Sequence, residues 1–325
     1  MAAVGGLLLA VYLIVESGAA QVAHAMLVIG WWLIPISLFH LLPMSFSAFS
    51  WRELLPATSR PDTFTCLWIR WIRESINSLL PVAGIGGDVA SLRLVHLQGV
   101  PATEAATSTV VDTTVGAATQ LLFVLSGVAL LLTRSTERSA LIVAGTVLIG
   151  MGLLCAGTAA FVLFQHRGLF AGLEKIARRL LPEKWRSRFA AGASAIDDAV
   201  VQAYRRRRVI LRAALLRLIG WTAGAGEVWL IMQAMGHPIG IVEAFVLESL
   251  GAGVRAAAFM IPGALGALEA SLILFGALFG LPADAALAIS LSKRVRELAW
   301  GVPGLLLWHW IEGHYLLRRG EPKPR

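Results

Sequence analysis

The residues best suited to chemistry are charges that interrupt apolar sequence. Arg70, Arg73, Glu74 and Asn77 stand at i, i+3, i+4 and i+7, and this spacing would put all four on one face of a helix. A guanidinium group is planar and presents paired N–H donors, so it suits a phosphate or another anion. The pattern therefore predicts a polar site for an anionic group.

Charges of the same kind recur in both halves of the chain. The residues predicted to bind the anionic group are Arg73, Asn77, Arg93, Arg255, Arg294 and Arg296. The predicted charge partners or proton-coupling groups are Glu74, Asp88, Glu248, Glu269 and Glu297. When Arg70 and Lys293 are added, cations outnumber carboxylates, which favours an anion as the missing partner. Salt bridges that only hold the helices together are the alternative.

The composition identifies the surroundings of these charges. The chain has 325 residues, of which 57% are apolar and only 15% are charged, with a formal net charge of +8. Such a chain cannot hide its apolar surface as a soluble globule, so we predict an all-α integral membrane protein with one polytopic domain over 1–325. No metal-ligand spacing, P-loop or GxSxG motif occurs, so we expect neither a cofactor nor an enzyme.

Apolar runs of about 20 residues, long enough to cross about 30 Å of hydrocarbon, predict the spanning helices. About six full crossings are predicted, at 3–20, 25–50, 104–132, 139–164, 209–235 and 284–312. Two further apolar regions, 62–100 and 240–281, are broken by "LLPVAGIGG" and "FMIPGALG". These are predicted to be broken helical hairpins that either re-enter on one side or cross twice. The predicted hinge residues are Pro81, Gly84, Pro262, Gly263 and Gly266.

Basic residues predict the orientation in the membrane. They concentrate at 165–208, which includes "RRRR" at 205–208, and in the C-terminal tail. By the positive-inside rule both lie in the cytoplasm, which places both termini on the inner side of a bacterial cytoplasmic (inner) membrane. Helical apolar periodicity at 168–185 predicts an amphipathic helix on anionic inner-leaflet lipid. A nucleic-acid-binding arm is disfavoured, because no nucleic-acid-binding module accompanies the charges.

The two broken regions align with each other at a constant offset of 181 residues (262 − 81 and 269 − 88). The aligned pairs are Pro81 with Pro262, Asp88 with Glu269, Gly99 with Gly280 and Pro101 with Pro282. Three predicted crossings separate the copies, so the halves at about 62–132 and 240–312 would form an inverted repeat. The same offset aligns Glu74 with Arg255, so equivalent sites carry opposite charges.

A few charged or titratable residues fall outside this pattern. Glu227, in the middle of a predicted crossing, could couple protons or pair with Arg217, and we favour the pair. Three of the seven histidines are interpreted as interfacial or packing residues, namely His24, His40 and His309.

Two parts of the chain carry a family resemblance. "RWIRESINSLLP" at 70–81, and "IPGALGALEASL" at 261–272 followed by "GLPADAALAISLSKRVRE" at 280–297, resemble the paired signatures of the lysylphosphatidylglycerol synthase transmembrane-region family. This family includes the flippase half of the multiple peptide resistance factor. The usual second signature is P-G-G-L-G-x-x-E, which this chain matches apart from Ala264 in place of a glycine.

The first signature of that family, L-P-x-R-x-G-E, is matched less well. Leu80 and Pro81 are present, but no arginine follows at the expected place and Asp88 is displaced from the glutamate position. This departure leaves the identity of the bound head group open. The chain looks most similar to the branch associated with hopanoid biosynthesis loci.

The resemblance implies a protein that translocates lipid. We expect a flippase-like transporter that moves or presents an amphiphilic membrane lipid with a polar, anionic head group. No soluble aminoacyl-transfer domain follows the last helix, so lipid modification is not expected. A non-transporting scaffold or accessory subunit for lipid-biosynthetic enzymes is the main alternative. An intramembrane lipid transferase with Glu269 or Asp88 as general base is the third.

Overall fold

The structure is a computed structural model, and it describes residues 29–80, 85–134, 183–258, 264 and 266–320, with isolated residues 27, 145 and 152. Several sequence predictions lie outside these residues. They are the crossings at 3–20 and 139–164, most of the amphipathic segment at 168–185, and the hinge residues Pro81, Gly84, Pro262 and Gly263.

All regular secondary structure in the described part of the chain is helical, as predicted. After a 3₁₀ turn at Gly30–Trp32 the helices are α1 Leu33–Phe39, α2 Leu41–Leu54, α3 Thr63–Leu79, α4 Gly86–Leu97, α5 Ala102–Arg134, α6 Glu183–Arg205, α7 Arg207–Ala234, α8 Ile241–Ala257, α9 Ala267–Ala277 and α10 Ala283–Gly320.

Three of these segments are long and apolar enough to cross a membrane. They are Gly30–Leu54, Ala102–Thr133 and Arg207–Ala234, and they agree with the crossings predicted at 25–50, 104–132 and 209–235. These spans identify a multi-pass membrane protein. The total number of crossings stays a prediction.

The sequence of α3 explains both where the helix begins and which face it buries. Asp62 is the N-cap, and one of its carboxylate oxygens accepts a hydrogen bond from the Thr65 backbone N–H at 3.0 Å. Hydrogen bonds from Thr65 to the ionised carboxylate lower the pKa of Asp62. Ile69, Ile72 and Ile76 recur at helical spacing and are buried, while charged residues occupy the adjoining face.

Two short hairpins, α3–α4 and α8–α9, stand before the long helices α5 and α10. Their second helices begin at 86 and 267, and the long helices begin at 102 and 283, so both pairs are 181 residues apart (267 − 86 and 283 − 102). Gly99 and Gly280 precede the long helices with φ of +92° and +70°, a conformation that glycine adopts without steric cost. The element bounds therefore follow the offset seen in the sequence, whereas the inverted orientation of the halves stays a prediction.

The two hairpins interlock with each other's long helix. Helix α3 packs against α10, and α8 packs against α5. Glycines allow the close approach, because a Cβ on Gly304 would lie only 2.8 Å from Ser75 Cβ, and a Cβ on Gly127 only 2.7 Å from Ser249 Cβ. The α2 helix packs mainly against α7, with the Ser50 hydroxyl donating to the Ala213 carbonyl at 2.8 Å.

The segment predicted at 165–208 to lie on the inner membrane surface is described from Glu183 onwards. Its helix α6 packs against α5, and Val200 is buried against Val111, Val115 and Ala213. The C-terminal part of this segment is therefore attached to the helical core.

The α3–α10 crossing generates a test of the fold. Gly304→Ala should destabilise the protein by about 1–3 kcal/mol, because the added methyl group overlaps the rigid Cβ of Ser75. Gly313→Ala is the matched control on the same helix, since a Cβ there meets no atom within 4 Å. This control should gain up to about 1 kcal/mol from helix propensity. Thermal unfolding in detergent measures both, and equal unfolding temperatures would contradict the close crossing.

Candidate functional site

A cavity of about 450 Å³ lies among the helices that carry the predicted charges. Its walls come from α2, α3, α4, α5, α7, α8, α9 and α10. The predicted site residues that line it are Arg73, Glu74, Asn77, Asp88, Glu248, Arg255 and Arg296. Arg70, Arg217, Glu227 and Lys293 line it as well.

The cavity lies near the middle of an apolar span. Its residues on α7 run from Arg217 to Glu227, in a helix that extends from Arg207 to Ala234. At about 1.5 Å rise per residue, Arg217 lies about 15 Å from the start of the helix and Glu227 about 10 Å from its end. Charges at such depth are costly unless they are paired or face water.

Asp112 of α5 is the centre of the first charge cluster. Its side chain is fully buried and contacts Arg73 Nη1 at 2.5 Å, Arg70 Nη1 at 3.2 Å and Arg217 Nη2 at 3.1 Å. Three cations from two helices thus share one carboxylate. Sequence reasoning missed Asp112, although an acid well inside the apolar run 104–132 was the available signal.

Arg73 also ties the first hairpin together. Its Nε lies 2.5 Å from Asp88 Oδ1, which stands in the first turn of α4. Asn77 Oδ1 accepts a hydrogen bond from the Gly87 backbone N–H at 2.8 Å, and so satisfies an amide at the start of that helix. A side chain on Gly87 would collide with the Arg73 carbonyl and with Asn77. Arg73, Asn77 and Asp88 therefore have structural partners as well as a place in the cavity wall.

A second cluster joins α2, α3, α7 and α10 around His40. Arg296 Nη1 lies 2.5 Å from Glu227 Oε2 and 2.9 Å from His40 Nδ1. His40 Nε2 lies 2.7 Å from Glu74 Oε1. Two interpretations of the sequence are wrong here, because Glu227 pairs with Arg296 instead of Arg217, and His40 is a hydrogen-bonding member of the cluster instead of a packing residue.

Two further ion pairs connect α8 to α10. Lys293 Nζ contacts Glu248 Oε2, and Arg255 Nη1 lies 2.7 Å from Glu297 Oε1. Glu297 lines a smaller adjoining cavity of about 360 Å³, which shares His40 and Glu74 with the first.

The charges around the two cavities are nearly balanced. The cations are Arg70, Arg73, Arg217, Arg255, Lys293 and Arg296. The carboxylates are Glu74, Asp88, Asp112, Glu227, Glu248 and Glu297. The expected excess of cations over carboxylates is therefore wrong for the cluster as a whole, because Asp112 and Glu227 supply charge that the sequence-based set omitted.

Three predicted site residues lie away from both cavities. Arg93 pairs with Glu312 through two hydrogen bonds at 2.6 and 2.8 Å, and its side chain is 47% exposed. Arg294 pairs with Glu269, with Nε at 3.0 Å from Oε1. Neither pair contributes to the cavity walls.

Glu269 has a structural explanation in the described residues. Its Oε2 accepts the Gly266 backbone N–H at 2.8 Å and its Oε1 accepts the Ser290 hydroxyl at 2.9 Å, so it caps α9 and fastens it to α10. Gly266 has φ +76° and Ala264 has φ +50°, which explains why glycines suit this loop. The acid in the second signature thus stabilises the hairpin instead of lining the cavity.

Donor groups in the first cluster remain without partners. Among the described residues no hydrogen-bond acceptor reaches Arg70 Nε, Arg217 Nε or Arg217 Nη1, although all three atoms are buried. Buried polar atoms normally find a partner, so these N–H groups can donate hydrogen bonds to a ligand or to water. No three side chains in the described ranges stand where they could share a metal ion.

Comparison with known proteins identifies the family. The family model described as the lysylphosphatidylglycerol synthase TM region matches residues 2–302. The chain belongs to this family. The resemblance seen in the two signatures is confirmed, and lysylphosphatidylglycerol synthase TM regions are membrane segments connected with lipid. No curated protein and no solved structure matches the chain in the corresponding comparisons.

The Asp112 cluster in this member of the lysylphosphatidylglycerol synthase TM family generates a stability test. Asp112→Asn should destabilise the protein by about 3–5 kcal/mol, because it leaves Arg70 and Arg217 buried without a carboxylate. Glu312→Gln removes the partner of the exposed Arg93 and should cost at most about 1 kcal/mol. Unfolding temperature and monodispersity on size exclusion report both effects. Equal behaviour of the two variants would show that the cluster does not support the fold.

Proposed function

We propose that the protein moves or presents an amphiphilic membrane lipid with an anionic head group, in the manner of a flippase. The head group would enter the cavity of about 450 Å³, and the protein would act as a transporter without altering the lipid covalently. A membrane-lipid role follows from the family, whereas transport is our interpretation of the cavity.

The unpaired guanidinium donors carry this proposal. Arg70 and Arg217 line the cavity and have buried N–H groups that no described residue satisfies. Around Asp112 and Asp88 three arginines meet two carboxylates, so this end of the cavity keeps a local positive charge although the whole cluster is balanced. A phosphate or carboxylate oxygen would satisfy these donors and neutralise that charge.

Part of the cavity wall suits the apolar part of an amphiphile. Leu247, Leu268 and Leu272 line the cavity next to the polar groups. A lipid could place its head group among the arginines while its tail stays in the bilayer, where apolar chains need no desolvation. A lateral opening between helices would serve this purpose.

The hairpins would move so that the cavity opens alternately to the two sides of the membrane. We infer that the halves 62–132 and 240–312 are an inverted repeat and that α3–α4 and α8–α9 rock about breaks near Pro81 and Pro262. The 181-residue agreement between the starts of α4 and α9 supports this inference. Gly84, Gly263 and Gly266 would give the backbone at these breaks its conformational freedom.

The cellular setting belongs to the same proposal. We place the protein in the bacterial inner membrane with both termini in the cytoplasm, because of its basic segment at 165–208. The partners would be lipid-biosynthetic enzymes, those of hopanoid synthesis among them, and anionic inner-leaflet lipid.

Transport can be tested in liposomes that contain acyl-labelled fluorescent phosphatidylglycerol, with dithionite to quench the outer leaflet. Arg217→Gln should slow translocation at least about tenfold, because a hydrogen bond between charged groups is worth about 1.5–3 kcal/mol. Asp112 keeps Arg70 and Arg73 in this variant, so the fold should survive.

Arg93→Gln is the matched control, since it makes the same substitution in an arginine outside the cavity. It should transport at the wild-type rate. Equal translocation by empty liposomes and by wild-type protein would overturn the transport proposal and favour the accessory-subunit interpretation. Equal rates for both variants and wild type would remove the arginine cluster from the mechanism.

A further inference from the structure

His40 lies at the boundary of two helices in the polar interior. It lies between α1 and α2, and it lines both the larger and the smaller cavity. Pro43 follows three residues later and has no N–H, so the Phe39 carbonyl lacks its usual helical donor. The helix is therefore weakened where the imidazole stands.

The hydrogen bonds around His40 define which ring nitrogen carries the proton. Arg296 can only donate, so the contact of its Nη1 at 2.9 Å makes His40 Nδ1 an acceptor. The ring proton then lies on Nε2 and is donated to Glu74 Oε1 at 2.7 Å. His40 is thus neutral in this arrangement, with Arg296 on one side and a carboxylate on the other.

A second acceptor already stands beside Nδ1. Glu227 Oε2 lies 3.6 Å from it, too far for a hydrogen bond but close enough to be reached by a small rotation. The charged groups that face the imidazole are Glu74 from α3, Glu227 from α7 and Arg296 from α10. Imidazole is the one side chain whose ordinary titration falls near neutral pH.

We propose that His40 couples proton uptake to binding of the anionic head group, an inference that rests on the proposed function. A proton taken up from the solvent adds to Nδ1 and turns this nitrogen from an acceptor into a donor. The N–H groups of His40 and Arg296 then oppose each other, and Nδ1–H turns to Glu227. Loss of the proton restores the first arrangement.

Arg296 transmits this change to the cavity. Its Nη2 already lies 3.6 Å from Glu297 Oε1, the oxygen that holds Arg255 at 2.7 Å. Displacement of Arg296 towards Glu297 would loosen Arg255, whose side chain is 40% exposed and borders the larger cavity. Protonation thus adds one positive charge and releases a guanidinium group for the anion. Because coupling between two ligands is reciprocal, the bound anion must also favour the proton.

The experiment uses the full-length protein in detergent with short-chain dihexanoyl phosphatidylglycerol, whose phosphodiester stays anionic throughout. Its dissociation constant is measured by tryptophan fluorescence at about pH 6 and about pH 8, since the imidazole titrates between them. Wild type should bind about tenfold more tightly at the lower pH. His40→Gln keeps a donor for Glu74 but cannot take a proton, so its affinity should be the same at both values. His237→Gln, in the loop after α7, is the control and should behave as wild type.

A second readout works without lipid. Imidazole C2–H exchange, followed by mass spectrometry, reports the protonation of each histidine, and His40 should titrate within the same pH range. A ring that does not titrate there, or wild-type binding with the same affinity at both pH values, would overturn the inference and leave the transport proposal intact. Absence of binding at every pH, with His40 titrating as expected, would instead count against the proposed anionic ligand.

Discussion

The need to neutralise buried charge is the constraint on which the rest of the structure depends. A charge in a low-dielectric interior is tolerated only beside an opposite charge or a set of hydrogen bonds. Asp112 meets this need for Arg70, Arg73 and Arg217 at once, and its ion pairs link α3 and α7 to α5. One carboxylate thus connects three helices.

The same constraint explains why the cavity is polar and yet stable. The helices α3, α4, α5, α7, α8 and α10 each bring a charge whose partner stands on another helix, as in the pair of Arg296 with Glu227 and that of Lys293 with Glu248. The ion pairs therefore act as ties between elements, and close glycine crossings let these elements approach. Among the described residues the guanidinium groups of Arg70 and Arg217 keep N–H donors without acceptors, which makes the end of the cavity around Asp112 the favoured place for an anion.

The signature residues of the family divide between two tasks. Glu269 and Gly266 shape the start of α9, and Arg294 fastens it to α10, so this motif builds the hairpin. Other residues of the same stretches, Arg73 and Arg296 among them, form the polar interior together with Asp112 and Arg217 from outside these stretches. The stretches that identify the family thus supply both the scaffold of the second hairpin and part of the charged cavity wall.

The sequence by itself determined the membrane class, the helical composition, three apolar spans and the family. It also determined the 181-residue offset between the two hairpins. These features depend on local composition and on periodicity within a few turns. The sequence also indicated most charges that line the cavity. Only the tertiary structure decided which charges meet. Arg217 reaches Asp112 across 105 residues and Arg296 reaches His40 across 256, distances over which helical spacing carries no information. For the same reason Arg93, Arg294 and Glu269 could not be told apart from the residues of the cavity until the helices were placed side by side.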